Sequence, residues 1–522
     1  MAVNIPGLVA VLVFYVIILL VGIVAGRKKR STDDFILAGR SMNSLVSVFS
    51  ITATVVGGAY INGTAESMAS MGLAWSLVPP GFFLGALIVA FVYAPKLHRL
   101  GCVTMFDPLQ KKYGKYVGGL LFFPEVMGDL FWAAAILAAL GSTMAIVLDV
   151  QSWIMILVSG VVAAVYTCVG GLQSVAYTDI LQLVFIIIGL VVSFPFAMQH
   201  PAVDFRSITS TWTGQVPVAM IGSYIDVCLL LVFGAIPWQA FYQRVLACRT
   251  AQVARVSIAL ASVLVIVLGV PPLIMGAIGA ATDWNQTSYE GTIPLSPEMQ
   301  SSILPLVLNY LCPLPVSMVG LGAISAAVMS SADSVNLAAS SVAAKNIYND
   351  IFRPKASDRE VLWVMRISSL IFAGGACALA IVSKSVYGLF VACSDLMYVI
   401  QFPQFTCALW ASWANGYGSV IGFIVALILR IGAGEPLLNV KPFIRFPFYD
   451  EVYGQLFPFR TLIAVVSFAT ILSISAITNL LFTNRILPAS RDVLNPSGRH
   501  TSIPTNTEKN GMKFLSSEEI AL

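Results

Sequence analysis

Ser50-Ile51-Thr52-Ala53-Thr54-Val55-Val56-Gly57-Gly58-Ala59-Tyr60-Ile61-Asn62-Gly63 is apolar enough to lie in a bilayer, yet it carries a Gly-Gly pair at its centre with hydroxyls on one side. A helix facing only lipid gains nothing from an unwound backbone, because each freed carbonyl or amide must find a partner without water. Two readings fit the pair: a close helix crossing at small residues, or an unwound helix whose freed carbonyls ligate a cation. Further along, Gly234-Ala235-Ile236-Pro237-Trp238-Gln239 interrupts another apolar segment. The two interruptions are five spans apart, which puts them on helices of opposite direction. That is the arrangement of an inverted repeat whose discontinuous helices frame a midplane site.

Composition fixes the surroundings of these breaks. Hydrophobic residues make up 58% and charged residues 10% of the 522, with a mean hydropathy of +0.87, where a soluble domain is about one quarter charged. About twenty residues at ~1.5 Å each cross a hydrocarbon core of ~30 Å. Stretches of that kind lie near 7–26, 42–70, 73–95, 116–148, 151–169, 174–198, 223–243, 252–280, 316–347, 361–383, 387–409, 416–432 and 461–484. Thirteen spans place the termini on opposite sides. With the N-terminus outside, 23 of the 29 Lys and Arg fall on one side, the run 27–30 and Arg244 among them. That side is therefore cytoplasmic and holds the C-terminus.

Asn285-Gln286-Thr287 is an N-glycosylation acceptor in a loop that the same charge count puts outside. Asn62-Gly63-Thr64 matches the pattern too, but inside an apolar segment where no glycan fits. Residues 1–484 read as one transmembrane transport domain in the plasma membrane, and 485–522 as a polar, disordered cytoplasmic tail. The eight cysteines are scattered without CxxC spacing, which indicates neither a disulfide framework nor a metal site. His98, His200 and His500 fall in loops or the tail with no nucleophile–base pair, so the chain does not read as an enzyme. Nothing in it suggests a nucleic-acid partner.

Departures from plain apolar sequence point to the permeation site. The ninth span contains Ala326-Ala327-Val328-Met329-Ser330-Ser331-Ala332-Asp333-Ser334. Its serines offer hard oxygen donors of the kind sodium takes, although Ala and Ser also pack helices without any ion. Glu125, Asp129, Asp179, Asp226, Asp333 and Asp395 lie within spans and must face the interior, water or a cation. Some are structural anchors; Asp179 and Asp333 are the functional candidates. Tyr60, Phe82, Phe83, Phe131, Trp132, Trp238 and Tyr242 lie on the interrupted spans or their neighbours. Aromatic faces bind quaternary ammonium ions, while most aromatics in such a chain form interfacial belts or core. Trp132 and Trp238 differ in standing beside polar or broken sequence.

Gly170-Gly171-Leu172-Gln173-Ser174-Val175-Ala176-Tyr177-Thr178-Asp179-Ile180-Leu181-Gln182 resembles the signature of the sodium/solute symporter family, which includes sugar, iodide and vitamin carriers. Tyr60-Ile61-Asn62-Gly63-Thr64-Ala65-Glu66, Phe131-Trp132-Ala133-Ala134-Ala135-Ile136, Gly234-Ala235-Ile236-Pro237-Trp238-Gln239-Ala240 and Ala281-Thr282-Asp283-Trp284-Asn285-Gln286-Thr287 are similar to the branch that carries choline with high affinity. The likeness covers all but the tail.

It implies an all-α membrane protein of about thirteen helices: a leucine-transporter-type five-plus-five inverted-repeat core with one extra N-terminal and two extra C-terminal helices. It implies a sodium ion between the carbonyls of Ala53, Val56 and Ala327 and the hydroxyls of Ser330 and Ser331. A second sodium position, found in some members, matches Asp179 with Ser334. The implied cargo is choline, taken up with sodium and in a chloride-dependent way, its trimethylammonium group caged by Trp132 and Trp238, with Phe82, Tyr60 and Val55 alongside. The resemblance also makes a synaptic membrane a possible setting. The branch has Tyr at Phe82 and Trp at Val55. Phe82 keeps a π-face and Val55 has none, a loss of about 1–2 kcal/mol, or roughly tenfold in affinity, per desolvated cation–π partner. Choline is then bound more weakly, or another aromatic replaces the face, or the cargo is another small organic solute. A non-transporting protein that retains the fold would not need Ser330-Ser331 and both breaks.

Overall fold

The computed structural model describes residues 32–488 except 149, 384 and 439, together with 16–18, 20, 21, 24 and 492–494. The first expected span (7–26), the basic run 27–30 and the tail beyond 494 lie wholly or mostly outside the described residues.

Every expected span from the second onward is helical. α1 (Ser44–Val55) starts where the Asn43 side chain accepts the Val46 N–H at 3.0 Å, satisfying one of the amides a helix start leaves free. It stops at Val56 and resumes as α2 (Gly58–Met71) after a bend of 49°. α3 (Val78–Ile88) opens on prolines, whose missing N–H costs nothing in a first turn; it continues as one span to Arg99. α4 (Phe122–Leu148), α5 (Ser152–Gly170) and α6 (Leu172–Met198) follow. The second interrupted span is α7 (Ile221–Phe233) and α8 (Gln239–Ala247). α9 (Ala251–Leu268) and α10 (Val270–Ala280) form one crossing. α11 (Leu314–Val342), α12 (Asp358–Val382), α13 (Val386–Leu396), α14 (Phe402–Trp410), α15 (Gly416–Gly432) and α16 (Phe459–Thr483) complete the bundle. Among the described residues, eight helices are long and apolar enough to cross a membrane, nine with the bent α1–α2 pair, and three shorter apolar helices cover 152–161, 218–233 and 416–432. The β structure among them consists of isolated bridges.

Packing separates a core from a lipid face. All of α11 from Ala323 to Val342 is buried, as befits a helix enclosed on every side. It sits so close to α6 that a Cβ on Gly189 would lie 2.2 Å from the Ala323 Cβ. The outer helix α16 instead exposes Leu462, Val465, Ile477 and Leu480, a face suited to lipid.

Two of the buried carboxylates are anchors. Asp395 accepts from Arg430 at 2.8 Å and Arg460 at 2.7 Å, and Arg430 also pairs with Glu435. Asp226 accepts the Arg460 and Thr461 amides at the start of α16. Together they tie α7, α13, α15 and α16 at one end. Arg244, counted above among the cytoplasmic basic residues, belongs to no loop: it is fully buried in the bundle.

Candidate functional site

The first break turns backbone oxygens toward α11. The last helical bond of α1 runs from the Val56 N–H to the Thr52 carbonyl at 2.7 Å. The Ala53 and Thr54 carbonyls accept from the Ser330 and Ser331 hydroxyls, each at 3.2 Å. Only glycine fits at 57, because a Cβ there would lie 1.5 Å from the Ser331 Oγ and 3.2 Å from the Ala327 carbonyl oxygen. Ala53, Thr54, Ala327, Ser330 and Ser331 therefore bring carbonyl and hydroxyl oxygens together in one fully buried cluster, with Val56 buried alongside; such oxygens are the donor type that a desolvated monovalent cation takes.

Beside it stands a clasp built on Asp179. Its Oδ1 accepts from Ser330 at 2.6 Å; its Oδ2 accepts from Ser50 at 2.6 Å and from Arg244 Nη2 at 3.1 Å. Arg244 also donates to Ser334 at 2.6 Å, to the Ser50 Oγ at 2.9 Å and to the Ala240 carbonyl at 3.0 Å. The guanidinium thus lies between Asp179 and Ser334, the pair matched above with a second sodium. Asp333 accepts a long bond from Ser334 at 3.4 Å and leaves its Oδ2 unpartnered. The sequence reading missed Arg244 because it comes one residue after the expected span 223–243; a boundary one turn later would have placed it inside.

Thr54 and Val55 also line a narrow, mostly apolar cavity with Phe82, Trp132, Trp238, Phe241, Phe390 and Cys393. The break therefore serves the oxygen cluster on one side and the cavity on the other. The Trp132 and Trp238 rings meet edge to face with centroids 4.8 Å apart, and the Trp238 indole N–H donates to the Gly234 carbonyl at 2.6 Å. Phe82 leans on Phe390 at 5.3 Å. Tyr60 does not line the cavity: its hydroxyl donates to the Val265 carbonyl at 2.7 Å and pins α2 to α9. Phe241 and Phe390 were missed, since nothing in apolar sequence separates a cavity aromatic from a core one.

Away from the bundle, Asn285 is exposed in a short turn. Donors from the Asn285 and Gln286 side chains hold the Asp283 carboxyl below its ordinary range. Asn62 is buried in α2 and donates to the Gly58 carbonyl.

An all-helical bundle with two interrupted spans, one presenting oxygens and the other an indole, is the architecture of a secondary transporter. Residues 35–426 match the Sodium:solute symporter family, and the chain belongs to that family. It is 46% identical over 513 residues to the human high affinity choline transporter 1, covering 94% of this chain and 88% of that one. It is 44% identical over 527 residues to the high-affinity choline transporter 1 of Drosophila melanogaster, covering 100% and 85%. Identity to the sodium-coupled monocarboxylate transporter 1 of Xenopus laevis is 22% over 456 residues, with 80% and 70% covered. A substrate-bound, outward-open Na+-coupled sialic acid symporter superposes with a TM-score of 0.73 at 16% identity, covering 91% of this chain and 97% of that one. The fold is the leucine-transporter type shared with that symporter, and its interrupted helices are α1–α2 and α7–α8.

Proposed function

We propose that the protein imports choline together with sodium across the plasma membrane by alternating access. The observation that carries the reading is the edge-to-face Trp132–Trp238 pair in the wall of a cavity shared with the first helix break. The choline transporters at 44–46% identity support the same cargo. The trimethylammonium group packs against Trp132, Trp238 and Phe82. Phe241 and Phe390 add ring faces where Val55 has none, and Tyr60 braces the wall through Val265.

Sodium takes the Ala53, Val56 and Ala327 carbonyls and the Ser330 and Ser331 hydroxyls. Asp179 accepts the Ser330 proton, which leaves that oxygen's lone pairs free for the ion. Asp179 and Ser334 form the adjoining polar wall, and a second sodium between them requires Arg244 to withdraw. Ion binding draws the broken α1 onto α11 and favours the outward-open site; the loaded core then opens inward. No bond is made or broken. An inside-negative potential adds about 2.3 kcal/mol per charge per 100 mV. The reading includes a chloride requirement, an external N-terminus, a cytoplasmic tail over 485–522 and a glycan on Asn285.

The test is uptake of labelled choline into expressing cells. Uptake should need external sodium, fall when gluconate replaces chloride, and drop at least tenfold at low choline in Trp238→Ala and Ser331→Ala. Sodium-independent uptake would refute it. Val55 favours a second reading, another small organic solute, which excess choline would then fail to displace.

A further inference from the structure

Three of the six buried carboxylates that the sequence pointed to have donors on both oxygens. Asp179 has Arg244 and two serines, Asp226 has Thr461 and Arg460, and Asp395 has Arg430 and Arg460. Asp129 has none: it is fully buried, and among the buried carboxylates of the described residues it alone has neither oxygen partnered. One helical turn earlier, Glu125 is equally buried; it accepts the Gln239 N–H at 2.9 Å through Oε1 and leaves Oε2 free. The acid next to Asp129 on this helix is Glu125. Two acids one helical turn apart are thus buried in the bundle with no ion-pair partner among the described residues.

Their position is informative. Glu125, Asp129 and Trp132 are spaced i, i+4, i+7 and so share one face of α4, with Asp129 about 4.5 Å of helix rise from Trp132. The backbone of Cys393 packs on α4 next to Asp129, where a Cβ on Gly128 would lie 3.0 Å from the Cys393 carbonyl oxygen, and Cys393 also lines the cavity with Trp132 and Trp238. Gln239, which holds Glu125, directly follows Trp238 and keeps its own side-chain nitrogen unpartnered. The acid pair is therefore the next station after the aromatic cavity, on the side of the α4 N-terminus. That end follows Lys111, Lys112 and Lys115, which the orientation above places in the cytoplasm.

We propose that Asp129, with Glu125, forms a second cation subsite that receives the quaternary ammonium group as it leaves the aromatic cavity toward the cytoplasm. Rings hold the ion by their quadrupole in the outward-facing and closed states. When α8 moves away from α4, the carboxylates offer the opposite full charge one turn further in, so the ion is never without a partner in the low-dielectric interior. The inference rests on the choline reading.

The experiment uses the full chain in sealed right-side-out membrane vesicles, with two readouts for labelled choline: external KM for entry, and the internal concentration that half-saturates exchange. In Asp129→Asn the internal value should rise about tenfold while the external KM moves less than twofold; Asp129→Glu should restore it. Glu125→Gln should move the internal value in the same direction by a smaller factor, and it carries the test if Asp129→Asn does not reach the membrane. An unchanged internal value, an equal change on both sides, a shift in sodium half-saturation alone, or a loss of pH dependence alone would overturn the subsite; the last two would reassign the pair to sodium or to a proton. Wild-type vesicles that take up no choline would overturn the cargo reading instead.

Discussion

The two helix breaks are made by similar sequence and end as different chemistry. At the first, Gly57 lets the backbone touch α11, and the exposed carbonyls of Ala53 and Thr54 meet Ser330 and Ser331. At the second, Gly234 is held as closely: a Cβ there would lie 2.5 Å from the Leu230 and Ser394 carbonyl oxygens. Yet its own carbonyl is taken by the indole N–H of Trp238, and the ring turns to Trp132. One break offers oxygen and the other consumes it. Glycine creates the opening in both; the side chains four residues on or across the bundle decide whether it suits an ion or an organic group.

Arg244 joins the two, and its removal is expected to have the largest effect. It lies on α8, past the second break, but bonds Ser50 and Asp179 beside the first. Arg244→Ala leaves a buried carboxylate unpaired and should lower stability by about 3–5 kcal/mol, read as thermal unfolding in detergent. Adding Asp179→Asn should recover most of that loss, because no uncompensated charge remains. Equal destabilisation by the single and double variants would show that Arg244 acts by packing alone. Next in size is Gly57→Ala, where overpacking against Ser331 costs about 1–3 kcal/mol and sodium-dependent uptake should vanish at normal surface expression.

A subtler pair separates the breaks by function. Ser331→Ala should raise the sodium concentration for half-maximal uptake severalfold more than it raises choline KM. Trp238→Ala should do the reverse, raising choline KM about tenfold with little change in sodium dependence. Kinetics that shift together in both variants would mean that the two breaks form one undivided site.

Much of this was legible in sequence because membranes make exceptions conspicuous. A Gly-Gly or Gly-x-x-Pro in an apolar run has few uses, and a tryptophan beside one is marked by its neighbour. Pairing was not legible. Asp179 and Arg244 are 65 residues apart, Asp395 and Arg430 35, so which acid had a guanidinium and which had none depended on helix packing that periodicity does not encode. Tyr60 had the right segment and the wrong neighbour, since one helical position decides between the cavity and Val265. Phe241 and Phe390 carried no mark at all: in apolar sequence their surroundings match those of any core ring.

Val55 offers the smallest and most pointed test. It lines the cavity and is 7% exposed, at the junction where the oxygen side of the first break passes into the aromatic side of the second. Val55→Trp gives that junction a π-face of its own. An isolated desolvated partner is worth roughly tenfold in affinity, but Phe241 and Phe390 already present rings to the same space. The gain in choline KM should therefore be smaller, about threefold, with sodium half-saturation unchanged. A gain near tenfold would mean that those phenylalanines do not face the ammonium group. A loss would mean that they already fill the place of the missing ring, so the second break's chemistry has spread into the first.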